Sequence, residues 1–199
     1  MIYFTGDLHF EQRALLKWRR RFATVEEMDK TLIDGWNATV GENDTVYVLG
    51  DLFHDEKVSA RKYLNRLSGR IVLIKGNHDA LWLDTLSDRE KKGYFSGIYD
   101  LHGIEKDGAK LRFCHYPMIS WDGSRSGSVL ICGHLHGRDD NNEYRLFRRV
   151  PLMFNAGVDV NGFKPVCFSE LVANNDVFYK RRRTKEEIEV LERMVRVYG

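Results

Sequence analysis

Five short segments of the chain carry metal-binding side chains, and each directly follows an apolar run. They are Asp7-Leu8-His9, Gly50-Asp51, Gly76-Asn77-His78-Asp79, the lone His115, and Gly133-His134-Leu135-His136. Carboxylates, imidazoles and one amide, without a thiolate, form a borderline donor set. Such a set suits Mn2+, Fe or Zn2+ better than a structural cysteine–zinc site. In an extended segment, residues two apart point to the same side. Asp7 and His9 are therefore expected to face together, as are His134 and His136, each pair gripping a cation without special backbone geometry. Asp51, Asn77 and His115 bring the candidate ligands to seven. That is too many for one tetrahedral ion and fits two ions sharing a carboxylate. Two metals about 3.5–4 Å apart clamp an in-line displacement at phosphorus and lower the pKa of a bound water. The chemistry implied is attack by a bridging hydroxide while the cations neutralise the phosphoryl oxygens. His78 is placed to face a substrate, where an imidazolium would stabilise the transition state or protonate the leaving alkoxide. Asp79 is expected to orient that ring.

The elements that must position these residues are legible in the apolar runs. Residues 2–4, 46–49, 71–74, 111–114 and 129–132 read as buried strands. Ligand sites of open α/β sheets form beyond the carboxyl ends of strands, which is where these side chains fall. Helices are expected over residues 11–21, 25–39 and 57–67, with residues 80–92 helical or irregular. Thr24 and Glu27 form a capping box for the second of these. Residues 98–106 and 110–115 predict a hairpin turning at Asp107-Gly108. Strands are expected again at residues 144–150, 152–154 and 166–168. A capped amphipathic helix is expected over residues 184–197, with Ile188, Leu191, Val195 and Tyr198 on one face. Strands alternating with helices and then mostly strands predict an α/β domain with two sheets or one large mixed sheet. The domain should span residues 1–180, with 181–199 a helix that packs on it or on a second copy.

With 199 residues, 43% hydrophobic and 30% charged, the chain is ordinary for one soluble globular domain. A formal charge of +2 does not demand an anionic polymer or a membrane as partner. Three cysteines without CxxC spacing argue against a disulfide framework and fit a reducing, cytoplasmic setting. Asp7 interrupts the first apolar run too early for a signal-peptide core.

A lone buried His or Asp is usually a hydrogen-bonded core residue. Five of the seven histidines fall in the motifs, which outweighs that reading for the set. His54 lies near Asp51 and reads as a loop histidine that could reach the site. Gly50, Gly76 and Gly133 directly precede ligands, where a side chain would hinder close approach. Asn155 reads equally as a supporting partner or a strand-end turn. Arg13 and Arg125 are candidate phosphate contacts. The basic runs 19–21 and 180–183 read first as solvated faces, with guidance of an anionic substrate as the alternative.

In these residues the chain resembles the calcineurin-like metallophosphoesterases, with all five motifs in family order over residues 1 to about 160. The resemblance implies a four-layer α-β-β-α sandwich with mixed sheets. It further implies Asp7, His9 and His136 on one metal, Asn77, His115 and His134 on a second, Asp51 bridging, and His78 as the catalytic histidine. Two divalent ions are implied, with Mn2+ first and Fe, Zn2+ or Ni2+ as alternatives. The substrate would be a phosphomonoester or phosphodiester, either a phosphorylated small molecule or a nucleotide. A nuclease or a catalytically silent scaffold of the same fold are the rival readings. One departure is informative: Gly50-Asp51 continues into Leu52-Phe53-His54-Asp55 rather than Asp-Arg-Gly, which disfavours phosphoprotein and dinucleoside-polyphosphate substrates.

Overall fold

Tight alternation of apolar side chains puts both faces of the strands to use. In the computed structural model, which describes residues 1–19, 21–55 and 59–199, four parallel strands form the first sheet: β1 (Ile2–Thr5), β2 (Thr45–Val48), β3 (Arg70–Ile74) and β4 (Phe95–Tyr99). The second sheet holds β5 (Leu101–Lys106), β6 (Ala109–Cys114), β7 (Val129–Cys132) and β8 (Met153–Asn155). Only β5 runs antiparallel to its neighbour, so the second sheet alone is mixed. The hairpin does turn at Asp107-Gly108, both with positive φ, as a tight two-residue turn requires.

Val46, Val48, Ile71 and Leu73 face outward beneath helices, while Tyr47, Leu49, Val72 and Ile74 face the second sheet. There they meet Leu111, Phe113, Val129, Ile131 and Phe154, with the Tyr47 and Phe113 rings stacked at 4.5 Å. This central layer is the sandwich core. Helix α1 (Val25–Thr39) covers the first sheet through Met28, Leu32, Ile33 and Trp36. Burying each such side chain is worth about 1.5–3 kcal/mol. Thr24 caps it by accepting the Glu27 N–H, while the Glu27 carboxylate reaches back to Ala23. Helices α2 (Ala60–Leu64), α3 (Asp79–Leu83) and α4 (Asp88–Tyr94) complete that side. The helix expected over residues 57–67 begins in part outside the described residues.

On the far side lie α5 (Asn142–Phe147), α6 (Phe168–Phe178) and α7 (Lys185–Tyr198). Two of these correct the sequence reading. Residues 144–150 alternate like a strand, yet Tyr144 and Phe147, three apart, bury together once Asn141 caps the turn. Residues 166–168 form only one bridge, Val166 to Phe4, before Phe168, Leu171 and Asn175 open a helix with buried i, i+3, i+7 spacing. Within the stretch 11–21, expected to be helical, the described residues form a 3-10 turn over Arg13–Lys17 in place of an α-helix. Helix α7 packs on its own chain through Leu191, Met194 and Tyr198, whose hydroxyl donates to the Ala109 carbonyl. Among the described residues no helix is long and apolar enough to cross a membrane.

Candidate metal centre

The carboxyl ends of β1, β2, β3, β6 and β7 reach one rim of the sandwich, and each releases a candidate ligand there. Backbone bonds tie the exits together, from Asp7 N–H to Gly50 and from His9 N–H to the Asp51 carbonyl. The exits are not ordinary extended chain. Asp7, His9, Asp51, His134 and His136 adopt φ values of +53°, +51°, +55°, +72° and +50°. That left-handed region costs an L-residue about 1–2 kcal/mol, so the expectation of unexceptional backbone does not hold.

The side chains converge as two groups. Ligand atoms of Asp7, His9 and His136 lie within 4.8 Å of one another, and so do those of Asp51, His115 and His134. His134 and His136 therefore separate into different groups instead of gripping one cation. Asp51 sits between the groups, its Oδ2 3.5 Å from His9 Nε2 and 3.5 Å from His115 Nε2. Asn77 Oδ1 lies 3.1 Å from ring nitrogens of both His115 and His134.

These residues fit divalent cations. Both ring nitrogens of His9 are buried without a hydrogen-bond partner, a costly state that a cation at the rim relieves. Burial pushes the Asp7 carboxyl up to about 7 and pulls the His9 imidazole down to about 2. Burial also raises Asp51 and lowers His115 and His134. Neutral imidazoles are ready ligands, and a nearby cation would restore the carboxylates. All donors are oxygen or nitrogen, while the Cys114 and Cys132 thiols are buried and their pKa values raised by that burial.

A supporting layer holds the rim, and the sequence reading missed half of it. Arg19, read as part of a solvated basic run, is buried. Its guanidinium donates to the Asp7 and Leu8 carbonyls at 2.6 and 2.9 Å and to both Asp159 oxygens at 2.8 and 2.9 Å. Asp159 in turn accepts from His136 Nδ1 at 3.2 Å. This leaves Nε2 of His136 for the rim. Burial opposes ionisation of Asp159, but His136 and Arg19 hold its carboxyl well below the usual range. Arg20 of the same run lies outside the described residues. Asn155 proves to be a support: it bonds the His136 carbonyl, Tyr179 and the Gly157 N–H.

Asp79 corrects the expectation that it orients His78. Its two oxygens accept N–H bonds from Asp51, Leu52, Gly76 and the Trp82 indole. Among the described residues no hydrogen bond joins it to the His78 ring. Asp79 is thus a buried clasp between the β2 and β3 exits. Gly76 is required by close approach, since a Cβ there would collide with the Asp51 carboxylate. At Gly50, with φ +85°, a Cβ would stand 2.5 Å from His115 Nδ1.

His78 is half-buried, its N–H donating to Asp51 at 3.0 Å and its ring centroid 5.4 Å from that of His9. His54 reaches this edge, its ring 4.3 Å from that of His78 and its Nδ1 bonded to Gln12. Tyr116, exposed and flanking His115 and His134, carried no motif to single it out. Arg13 and Arg125 are not brought in. Arg13 lines a separate cavity with Asp29 and Tyr63, and Arg125 sits in an exposed 3-10 turn.

A two-sheet sandwich presents two adjoining O/N ligand groups at its strand ends, each able to hold a metal ion. The chain belongs to the calcineurin-like phosphoesterase family, which it matches over residues 1–177. An uncharacterized protein of Methanocaldococcus jannaschii is 35% identical over 174 residues, 86% of this chain and 89% of the relative. The gene 66 protein of Mycobacterium phage L5 is 27% identical over 158 residues, covering 67% of this chain and 76% of that protein. Among solved structures, a protein of unknown function from Aquifex aeolicus superposes with a TM-score of 0.62 at 26% identity, covering 83% of this chain and 94% of that one.

Proposed function

We propose that the protein is a dinuclear phosphoesterase hydrolysing phosphomonoesters or phosphodiesters. The observation carrying this reading is Asp51 Oδ2, equidistant at 3.5 Å from a histidine of each ligand group. Asp7, His9 and His136 would hold one divalent cation, Asn77, His115 and His134 the other, with Asp51 shared. The cations, Mn2+ foremost, would supply an activated water and neutralise the phosphoryl oxygens. His78, half-buried beside this ring with its backbone N–H bonded to Asp51, would donate a proton to the leaving alkoxide or stabilise charge on the phosphoryl group. Asp79, Arg19, Asp159 and Asn155 fix the loops that present these groups. Free cysteines, two of them buried, support a reducing cytoplasmic location.

The test is hydrolysis of p-nitrophenyl phosphate and bis-p-nitrophenyl phosphate by metal-stripped protein resupplied with Mn2+, beside His78→Ala. Mn2+-dependent turnover is expected, slowed roughly 10²–10⁴-fold in the variant with Mn2+ still bound. Full activity in His78→Ala refutes the role given to that ring. Absent turnover with two ions bound favours the scaffold reading. A nuclease reading draws on exposed Arg148, Arg149, Lys180 and Arg182 around a hollow of about 450 Å3. Oligonucleotide binding that falls steeply with salt would favour it.

A further inference from the structure

A cavity of about 660 Å3 opens directly beside the first ligand group, with His136 and Asp159 in its wall. Its other walls include Trp18, Arg21, Arg138 and Phe163. Trp18 is 64% exposed, an unusual state for the largest apolar side chain of a folded protein. Its indole is presented by the turn that also carries the buried Arg19, so the clamp on Asp7 fixes where the ring stands. The Arg138 guanidinium lies over that indole, 4.9 Å from its centroid, while Arg21 packs on Phe163 at 4.9 Å. Carboxylates offset the guanidiniums around this cavity, since Asp159 engages Arg19 and Asp140 engages Arg138. A second phosphate gains little from such walls. A flat ring with hydrogen-bonding edges gains a stacking platform, a cation above it and acidic acceptors for ring amines. The volume falls within the range of small-molecule sites and leaves ample room for a nucleoside.

We propose that this cavity is a subsite for a planar heteroaromatic ring on one arm of the phosphoester, with Trp18 as its specificity-determining residue. The proposal rests on the phosphoesterase reading for the placement of the phosphate. It points to a nucleotide-like substrate whose base lies on Trp18 while its phosphate lies at the rim. The position of Trp18 in the wall shared with His136 assigns the ring to the side of the first ligand group.

Two measurements test it. The first needs no catalysis: the full chain, metal-free in chelator, is titrated calorimetrically with 5′-AMP and separately with ribose 5-phosphate, and tryptophan fluorescence is followed alongside for 5′-AMP. Trp36 and Trp82 are fully buried and Trp121 is half-buried with its indole bonded to Ser128, so a quench is assigned to Trp18 by its loss in Trp18→Ala. Saturable quenching by 5′-AMP is expected, with ribose 5-phosphate binding roughly 5- to 150-fold more weakly, as loss of one base–aromatic stack implies. Trp18→Ala should abolish both the quench and the preference, whereas Trp18→Phe should keep most of the preference. The second measurement compares kcat/KM of Mn2+-supplied protein for thymidine 5′-(p-nitrophenyl) phosphate and methyl p-nitrophenyl phosphate. Trp18→Ala should lower the first by the same factor and leave the second unchanged. Equal binding of the two ligands, or a preference surviving in Trp18→Ala, overturns the subsite. Quenching without hydrolysis of any ester would keep the subsite and sink the phosphoesterase reading. Hydrolysis without base preference would do the reverse.

Discussion

Replacing Arg19 by Met tests whether a buried guanidinium, rather than metal, holds the first motif in shape. The Arg19 side chain is 1% exposed and that of Asp159 12%, so water cannot take over for either partner. The substitution leaves the Asp159 carboxylate with only His136 and strips donors from two buried carbonyls, those of Asp7 and Leu8. Removing one member of a buried, hydrogen-bonded ion pair costs about 3–5 kcal/mol. In a chain of this length each kcal/mol moves the melting temperature by about 2–4 °C, so a fall of roughly 6–20 °C is expected. The assay is thermal unfolding followed by circular dichroism in chelator, which excludes any contribution from lost cations. Arg19→Lys is the control. It keeps the charge but cannot span a carboxylate and two carbonyls together, and should fall between. Mn2+ affinity of the Met variant should also drop about 10- to 100-fold, because Asp7 and His9 lose the clamp that sets their left-handed backbone. A metal-free melting temperature within 2 °C of the wild type would refute the argument, since solvent would then be satisfying those groups.

Further outcomes follow from the same geometry. Asp51→Asn should lower Mn2+ affinity at both groups and abolish turnover; loss of only one ion in a stoichiometric titration would contradict the shared position of Asp51. Gly76→Ala forces a Cβ into the Asp51 carboxylate, so destabilisation of about 1–3 kcal/mol and weakened Mn2+ binding are expected. Wild-type calorimetric titration by that variant would show the close approach to be dispensable. The Glu90 carboxyl, hydrogen-bonded by Arg61 and by Ser87, is held down to about 2 from its ordinary 4.5. Its pKa being lower in the folded state, the link contributes stability above pH 4.5 that is lost as the pH falls toward 2. The stability difference between wild type and Glu90→Gln should therefore shrink over that window; a difference independent of pH would exclude the charge as its source.

The rim residues were legible because each lies one to five positions past an apolar run, and a parallel strand that must be buried on both faces leaves such a run. The covering helix α1 was legible from the helical spacing of its apolar residues and from its Thr24 cap, whereas the division into two sheets was left open. What escaped was set by contacts distant in sequence. Arg19 meets Asp159 across 140 positions, and nothing local distinguishes it from the exposed arginines around it. The fate of Asp79 was hidden for a similar reason, since its four donors come from two separate strand exits and a helix. Residues 144–150 were misread because alternation over so short a span also satisfies an i, i+3 pair. The side chain of Asn141, accepting the Tyr144 N–H, decides in favour of the helix.

The left-handed residues carry a consequence for how the centre is built. Five L-residues at φ near +50° to +72° together cost about 5–10 kcal/mol on local grounds. Protein groups contribute to offsetting that strain through backbone donors at the rim. Asp7 accepts the His134 N–H at 3.0 Å through both oxygens, Asp51 accepts that of His78, and Asp79 accepts four. The buried carboxylates thus accept backbone donors from other strand exits, and two of those donors, His134 and Asp51, are left-handed residues. His9 is the exception, with both ring nitrogens buried and without a hydrogen bond. Its desolvation cost is concentrated where the first cation would bind. Binding there relieves a penalty already present instead of creating new order, so affinity at the first group should exceed what its three side chains would show in a flexible loop.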